Sequence, residues 1–375
     1  MEENVNIKRL LAKTLILLAL LTFGLIPLIK DDLGKVSLYN LFVPGRYRFP
    51  YGENPDQSFN MSLFNLEANF ASHEVSDQRN SSNEFRVFLI GDSSVWGTLL
   101  KPEETLAGQL NNLGMHMPDG TPIRFFNLGY PTLSLAKDLL FLEESLEFQP
   151  DLIIWLLTLE SFPDDKQLTS PIVSHNYHKF SSLINHYDID LNSDDEVFSE
   201  TTYWDQTLIG QQRNLADIFR LQFYGVMWGI TGIDQHYPQD YEAAKRNFEE
   251  DTTFHDWDKG DIISDDLAYH LLNSGYKIAG KTPILLVNEP ILISSGMNSD
   301  LRYNYYYPIW AYDQYRQNMQ ELSKENGWYY QDLWNLIAEE EFTNTAIHFT
   351  PKGVGILSER ISEMIMEQIG KQPLN

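Results

Sequence analysis

Cysteine is missing from the chain altogether. Its absence excludes disulfides, thiolate metal sites and a cysteine nucleophile. Basic residues are scarce, with 27 Lys and Arg against 53 Asp and Glu and a formal net charge of −26. A surface of that sign repels nucleic acid, so a nucleic-acid partner is not expected. The acidic residues Asp194, Asp195 and Glu196 lack the ligand spacing of a calcium loop, and neither a metal nor a cofactor is expected. No internal repeat is visible.

Apolar material is plentiful. Of 375 residues, 43% are hydrophobic and 13% aromatic, enough for a large packed core and too much for disorder. The run "LLAKTLILLALLTFGLIPLI", Leu10 to Ile29, has about the 20 residues needed to cross a bilayer. Lys13 can snorkel to the interface, Lys8 and Arg9 precede the run, and Lys30 closes it. Residues 1–30 are therefore expected to form an uncleaved transmembrane anchor. The membrane becomes a partner, the chain single-pass, and its bulk extracytoplasmic. A cleaved signal peptide is the alternative, with Thr22 and Gly24 as a small-x-small site.

Residues 31–84 show no strong period and are rich in turn formers such as "VPGRYRFPYGENPDQ"; they are expected to be a stalk that packs on the main domain. From Phe85 the pattern becomes regular. "FRVFLI", "IRFFNLG" (Ile123 to Gly129) and "DLIIWLLT" (Asp151 to Thr158) are strand-like, with helical segments "ETLAGQLNNLG" and "LAKDLLFLEESLEF" between them. The lack of polar alternation in the third run is the mark of a strand buried on both faces. After an interruption the alternation resumes with "DLAYHLLNSGYKIAG", "TPILLVN", "AYDQYRQNMQELSKEN", "WYYQDLW" and a closing helix that starts near Pro351. This predicts an α/β domain over 85–375 with a doubly wound parallel sheet. It carries an insertion at about 161–265, part of which ("QTLIGQQRNLADIFRLQFYGVMWGI") is helical.

In an open parallel sheet, chemistry gathers at the carboxyl ends of the strands. Ser93 follows the first strand in "GDSSVWG", Gly129 ends the second in "NLGYPTLS", and Glu160 follows the third in "WLLTLESFP". His348 precedes the last helix in "TAIHFTPKG". These motifs, in this order, resemble the SGNH (GDSL-type) hydrolase superfamily from Phe85 to about Gly370. The resemblance implies a flavodoxin-like three-layer fold and acyl transfer without a cofactor. Ser93 would be the nucleophile and His348 its base, with the Ser93 and Gly129 backbone N–H groups in the oxyanion hole. Glu160 stands at the position of the family's oxyanion-hole asparagine, where a carboxylate would repel the oxyanion unless burial kept it protonated. The family's acid before the histidine is also absent: Asn344 and Thr345 stand there, and Glu341 is the closest acid upstream.

Asp92 is expected to brace the turn. Asn288 and Glu289, in "LLVNEPI", end a later strand on the same edge and could line the pocket or orient His348. The aromatic cluster "RYNYYYPIWAY" is a sugar-stacking wall or core packing. By resemblance to anchored members of the superfamily, the expected activity is that of a membrane-anchored serine esterase or O-acyltransferase. Its substrate would be an acylated cell-surface or exported glycan or another ester, with a membrane-bound acyl-donor partner conceivable. The alternative is a catalytically degenerate binding or assembly subunit of a cell-envelope complex. A small-ligand-binding α/β domain is a third reading.

Overall fold

Five short apolar runs build one parallel sheet: β1 (Phe85–Gly91), β2 (Ile123–Gly129), β3 (Leu152–Leu157), β4 (Ile284–Asn288) and β5 (Tyr329–Asp332). The computed structural model describes residues 7–26, 36–49, 51–57, 66–73, 84–191, 202–238 and 240–371. The strand order is β2-β1-β3-β4-β5, with every pairing parallel. Gly91 lies opposite Gly129, Leu157 opposite Asn288, and Asn288 opposite Asp332, so the strands end together along one edge. The chain reverses its direction of travel between β1 and β3, which opens the crevice where such sheets hold their chemistry.

Helices cover both faces. α1 (Ile7–Leu20) precedes the sheet, α2 (Ser93–Trp96) and α3 (Leu106–Asn112) follow β1, and α4 (Leu135–Ser145) follows β2. α5 (Gln212–Thr231) belongs to the insertion, α6 (His270–Ala279) precedes β4, α7 (Ile309–Asn326) precedes β5, and α8 (Pro351–Lys371) is the last helix described. Because side chains alternate along a strand, Phe88 and Ile90 of β1 point to one face and Val87 and Leu89 to the other. The first face packs on α4, α6 and α7 through Leu139, Leu271 and Met319, and the second on α3 and α8 through Leu110 and Leu357. Both faces of β1, β3 and β4 are therefore dry, which is why their sequences are almost continuously apolar.

In the turn-rich N-terminal region, Tyr39 is fully buried with the Arg48 guanidinium 4.6 Å from its ring centroid. Leu66 and Phe70 join the core beside α4, where the Phe70 and Phe141 rings stack at 5.9 Å. Within the aromatic cluster, Tyr307 and Tyr312 are fully buried, so these two are core rather than a sugar-stacking wall. Asp194, Asp195 and Glu196 lie outside the described residues.

One expectation fails. Among the described residues no helix is long and apolar enough to cross a membrane. α1 has 14 residues, which at a rise of about 1.5 Å each spans about 21 Å, short of a hydrocarbon core of about 30 Å. The next five residues, Leu21–Leu25, leave the α ladder for a π-helical turn, and residues 27–29 of the apolar run lie outside the described residues. A run of apolar letters thus met the length criterion, whereas the α-helix described within it has 14 residues. The transmembrane helix in the fold, the recognition as a membrane-anchored family member, the membrane partner and the single-pass, extracytoplasmic topology are all corrected by this finding. So is the membrane-anchored character of the activity.

Candidate active site

Ser93 is delivered by a sharp reversal at the end of β1. Asp92 caps the four-residue α2, its Oδ1 accepting from the Ser94 N–H at 2.8 Å. Gly97 ends the helix in the left-handed region at φ 89°. As the first residue of α2, Ser93 has no intrahelical acceptor for its N–H, which leaves that donor available at the sheet edge.

His348 comes from the loop before α8. Thr343 holds the His348 carbonyl through its backbone N–H at 2.8 Å and its hydroxyl at 3.1 Å, and the His348 N–H donates to Thr345 Oγ1 at 3.1 Å. The imidazole, only 8% exposed, reaches Ser93: Nε2 lies 2.8 Å from Ser93 Oγ. On its other side Nδ1 lies 3.1 Å from Asn344 Oδ1. An amide oxygen can only accept, so Nδ1 carries the proton and Nε2 is the free lone pair facing the serine. Burial lowers the His348 pKa, and the negative charge of Asp92 partly opposes that. The ring is therefore neutral at neutral pH and can take a proton.

The other expected site residues divide. Glu341 accepts from Thr350 Oγ1 and from Lys352, whose hydrogen bond lowers its pKa, so its carboxylate is committed away from His348. The Gly129 N–H, expected in the oxyanion hole, donates instead to Asn127 Oδ1 at 3.0 Å. A Cβ at Gly129 would stand 2.3 Å from the Trp96 nitrogen, so this glycine lets β2 approach the nucleophile helix. Asn288 is wholly buried in a polar knot, donating to Asp332 Oδ1 at 2.8 Å and accepting from Tyr312 and Tyr315 at 3.2 Å each. It is structural. Glu289, one residue on, lies behind the nucleophile turn and accepts from Ser94 Oγ.

Glu160 is buried beside two donors from the insertion. Lys166 pairs with its Oε1, and His255 Nε2 lies 3.2 Å from its Oε2. Burial alone would push its carboxyl up, but the hydrogen bonds from His255 and Lys166 outweigh that and hold it below the usual range. It is thus an ion-paired carboxylate rather than the protonated acid that an oxyanion donor at this position would require. His255 adopts φ 52°, uncommon for a residue with a Cβ. Asn127, Lys166 and His255 were not anticipated. Only Asn127 left a trace in the sequence, as a polar residue inside an apolar strand.

Among the described residues no group of three or more His, Cys, Asp or Glu is arranged to hold a metal ion. The chain matches no family model and no curated protein. Among solved structures it is similar to a member of the lipolytic G-D-S-L protein family from Veillonella parvula, 8% identical, covering 75% of this chain and 98% of that one, with a TM-score of 0.36. A carbohydrate acetylesterase family member from Sinorhizobium meliloti is 12% identical, covering 76% and 99%, with a TM-score of 0.34. The periplasmic domain of a lipopolysaccharide acetyltransferase from Salmonella ser. Paratyphi A is 10% identical, covering 91% and 99%, with a TM-score of 0.35. Likenesses this remote carry no inference about activity, which rests on the geometry around Ser93.

Proposed function

We propose that the chain is a serine-dependent acyl-transfer enzyme acting on a carboxylic ester, with Ser93 as nucleophile and His348 as base. The observation that carries this reading is the 2.8 Å approach of His348 Nε2 to Ser93 Oγ, with Nδ1 held by Asn344. Ser93 Oγ attacks the carbonyl carbon while its proton passes to Nε2. The Ser93 N–H stabilises the oxyanion that develops. Collapse breaks the ester C–O bond, and the leaving alkoxide takes the proton back from Nε2. Water, or a second hydroxyl deprotonated by the same nitrogen, then attacks the acyl-serine; water gives hydrolysis and a hydroxyl gives transfer.

A fluorophosphonate probe tests the assignment. Wild type is expected to be labelled, Ser93→Ala to be inert, and His348→Ala to be slowed by about 10²–10⁴-fold. Labelling that survives Ser93→Ala would remove the nucleophile. A folded wild type that the probe never labels would favour a non-catalytic binding domain.

A further inference from the structure

Glu289 is 1% exposed, and its backbone N–H is tied to the Leu157 carbonyl at 2.9 Å, which fixes it at the end of β4. Its Oε2 accepts from Ser94 Oγ at 2.5 Å. Its Oε1 is buried with no donor to satisfy it, although the Asp92 carboxyl group lies within hydrogen-bonding reach of the Glu289 side chain. Two carboxylates cannot hydrogen-bond to each other without a proton. A proton on Glu289 Oε1, donated to Asp92, satisfies the orphan oxygen and removes one of two like charges from a dry site.

Asp92 is 5% exposed and spends one oxygen on the Ser94 N–H. It is the group whose charge is felt at the His348 imidazole. The surrounding polar groups are few. Lys137, buried and paired with Asp138, donates to the Gly91 carbonyl at 2.8 Å just before Asp92. The Tyr306 phenol interacts electrostatically with Asp92, and the buried phenols of Tyr307 and Tyr312 with Glu289.

We propose that Glu289 is a positioning residue that holds a proton against Asp92, keeping the Asp92 carboxylate charged toward the Ser93–His348 pair where Asn344 supplies no charge. The proposal rests on His348 being the base for Ser93. Burial, and then the Asp92 charge, push the Glu289 carboxyl well above its ordinary value, in agreement with this placement of the proton. No bond is made or broken by either acid. Glu289 stays neutral through the cycle, and the Asp92 charge opposes the loss of His348 basicity that burial causes.

Histidine NMR titration of the whole protein tests the proposal, with His348→Gln used to assign the His348 signal. Asp92→Asn is expected to move the His348 titration to lower pH, whereas Glu289→Gln, neutral like a protonated glutamic acid, leaves it in place. An unmoved titration in Asp92→Asn overturns the proposal. So does a Glu289→Gln titration displaced as far as that of Asp92→Asn, because Glu289 would then carry the charge itself. If Glu289→Gln fails to fold, wild type labelled with ¹³C at glutamate carboxyl groups gives the answer directly. One glutamate signal is expected to stay protonated at neutral pH, and its absence refutes the assignment. Neither measurement needs turnover, so a chain that no fluorophosphonate labels would defeat the acyl-transfer reading while this one is judged separately.

Discussion

His348 Nδ1 lies 3.1 Å from Asn344 Oδ1, so a neutral amide stands where a serine–histidine pair is commonly backed by a carboxylate. The amide fixes the ring's tautomer and orientation without stabilising its cation. Asn344→Asp is therefore expected to raise the His348 pKa, moving the acid limb of fluorophosphonate labelling to higher pH. Above that limb the rate should rise by up to about tenfold. Asn344→Ala loses the orientation and should slow labelling by about tenfold or more. Second-order labelling rates across pH check both.

In wild type the acid limb should lie below the ordinary histidine range. The base acts when neutral, and burial lowers the His348 pKa despite the opposing Asp92 charge, so the neutral form persists into mildly acidic solution. A limb at or above the usual histidine value of about 6.5 contradicts this account.

Glu289 makes stability fall as pH rises. Its pKa is raised in the folded state, so the native chain keeps a proton that the unfolded chain releases above about pH 4.3. That contribution is fully present below the unfolded pKa and is lost as pH rises through the folded one. Glu289→Gln removes this linkage. Its stability relative to wild type should improve steadily between about pH 5 and pH 8, as denaturant unfolding at several pH values will show.

Glu160 has the opposite sign. Its pKa is lowered by the hydrogen bonds from His255 and Lys166, which outweigh its burial, so its contribution is present above the unfolded carboxylate value and lost as pH falls through the folded one. Lys166 is 29% exposed, and solvent screening keeps the expected loss in Lys166→Ala to about 1 kcal/mol at neutral pH. The deficit should shrink in acid. A deficit that grew on acidification would show that the pair does not stabilise the fold.

Gly129→Ala places a methyl group 2.3 Å from the Trp96 nitrogen. Either β2 or the nucleophile helix must shift, at about 1–3 kcal/mol. Thermal denaturation should show the loss, and labelling of Ser93 should slow with it. An alanine variant with native melting and native labelling would mean the sheet edge is looser than its packing implies.

Much of this was legible from residue order, for reasons that differ along the chain. Ile123–Gly129 is a strand with the boundaries its apolar letters suggest, because burial on both faces leaves little room for polar residues. Ser93 and His348 sit at the ends of regular elements, where position along the chain translates into position on the sheet edge. The partners of Glu160 could not be seen this way. His255 lies 95 residues from it in the insertion, and no periodic pattern ties a loop residue to a strand end. Gly129 ends β2 opposite Gly91, but the direction of its N–H depends on the Asn127 side chain, which composition does not encode. In α1 hydropathy measured the letters of a run, whereas among the described residues the α-helix within it has 14 residues and no helix is long and apolar enough to cross a membrane.

Two neighbouring hydroxyl groups on α2 have opposite surroundings: Ser93 faces the imidazole and Ser94 a buried acid. Trypsin would release both on a single peptide, since Arg86 and Arg124 are the nearest cleavage points on either side, Lys101 being shielded by Pro102. A mass shift on that peptide would therefore not identify the modified atom. Only backbone fragmentation between the two serines, or the paired variants Ser93→Ala and Ser94→Ala, separates an adduct on the reactive oxygen from one on its sheltered neighbour.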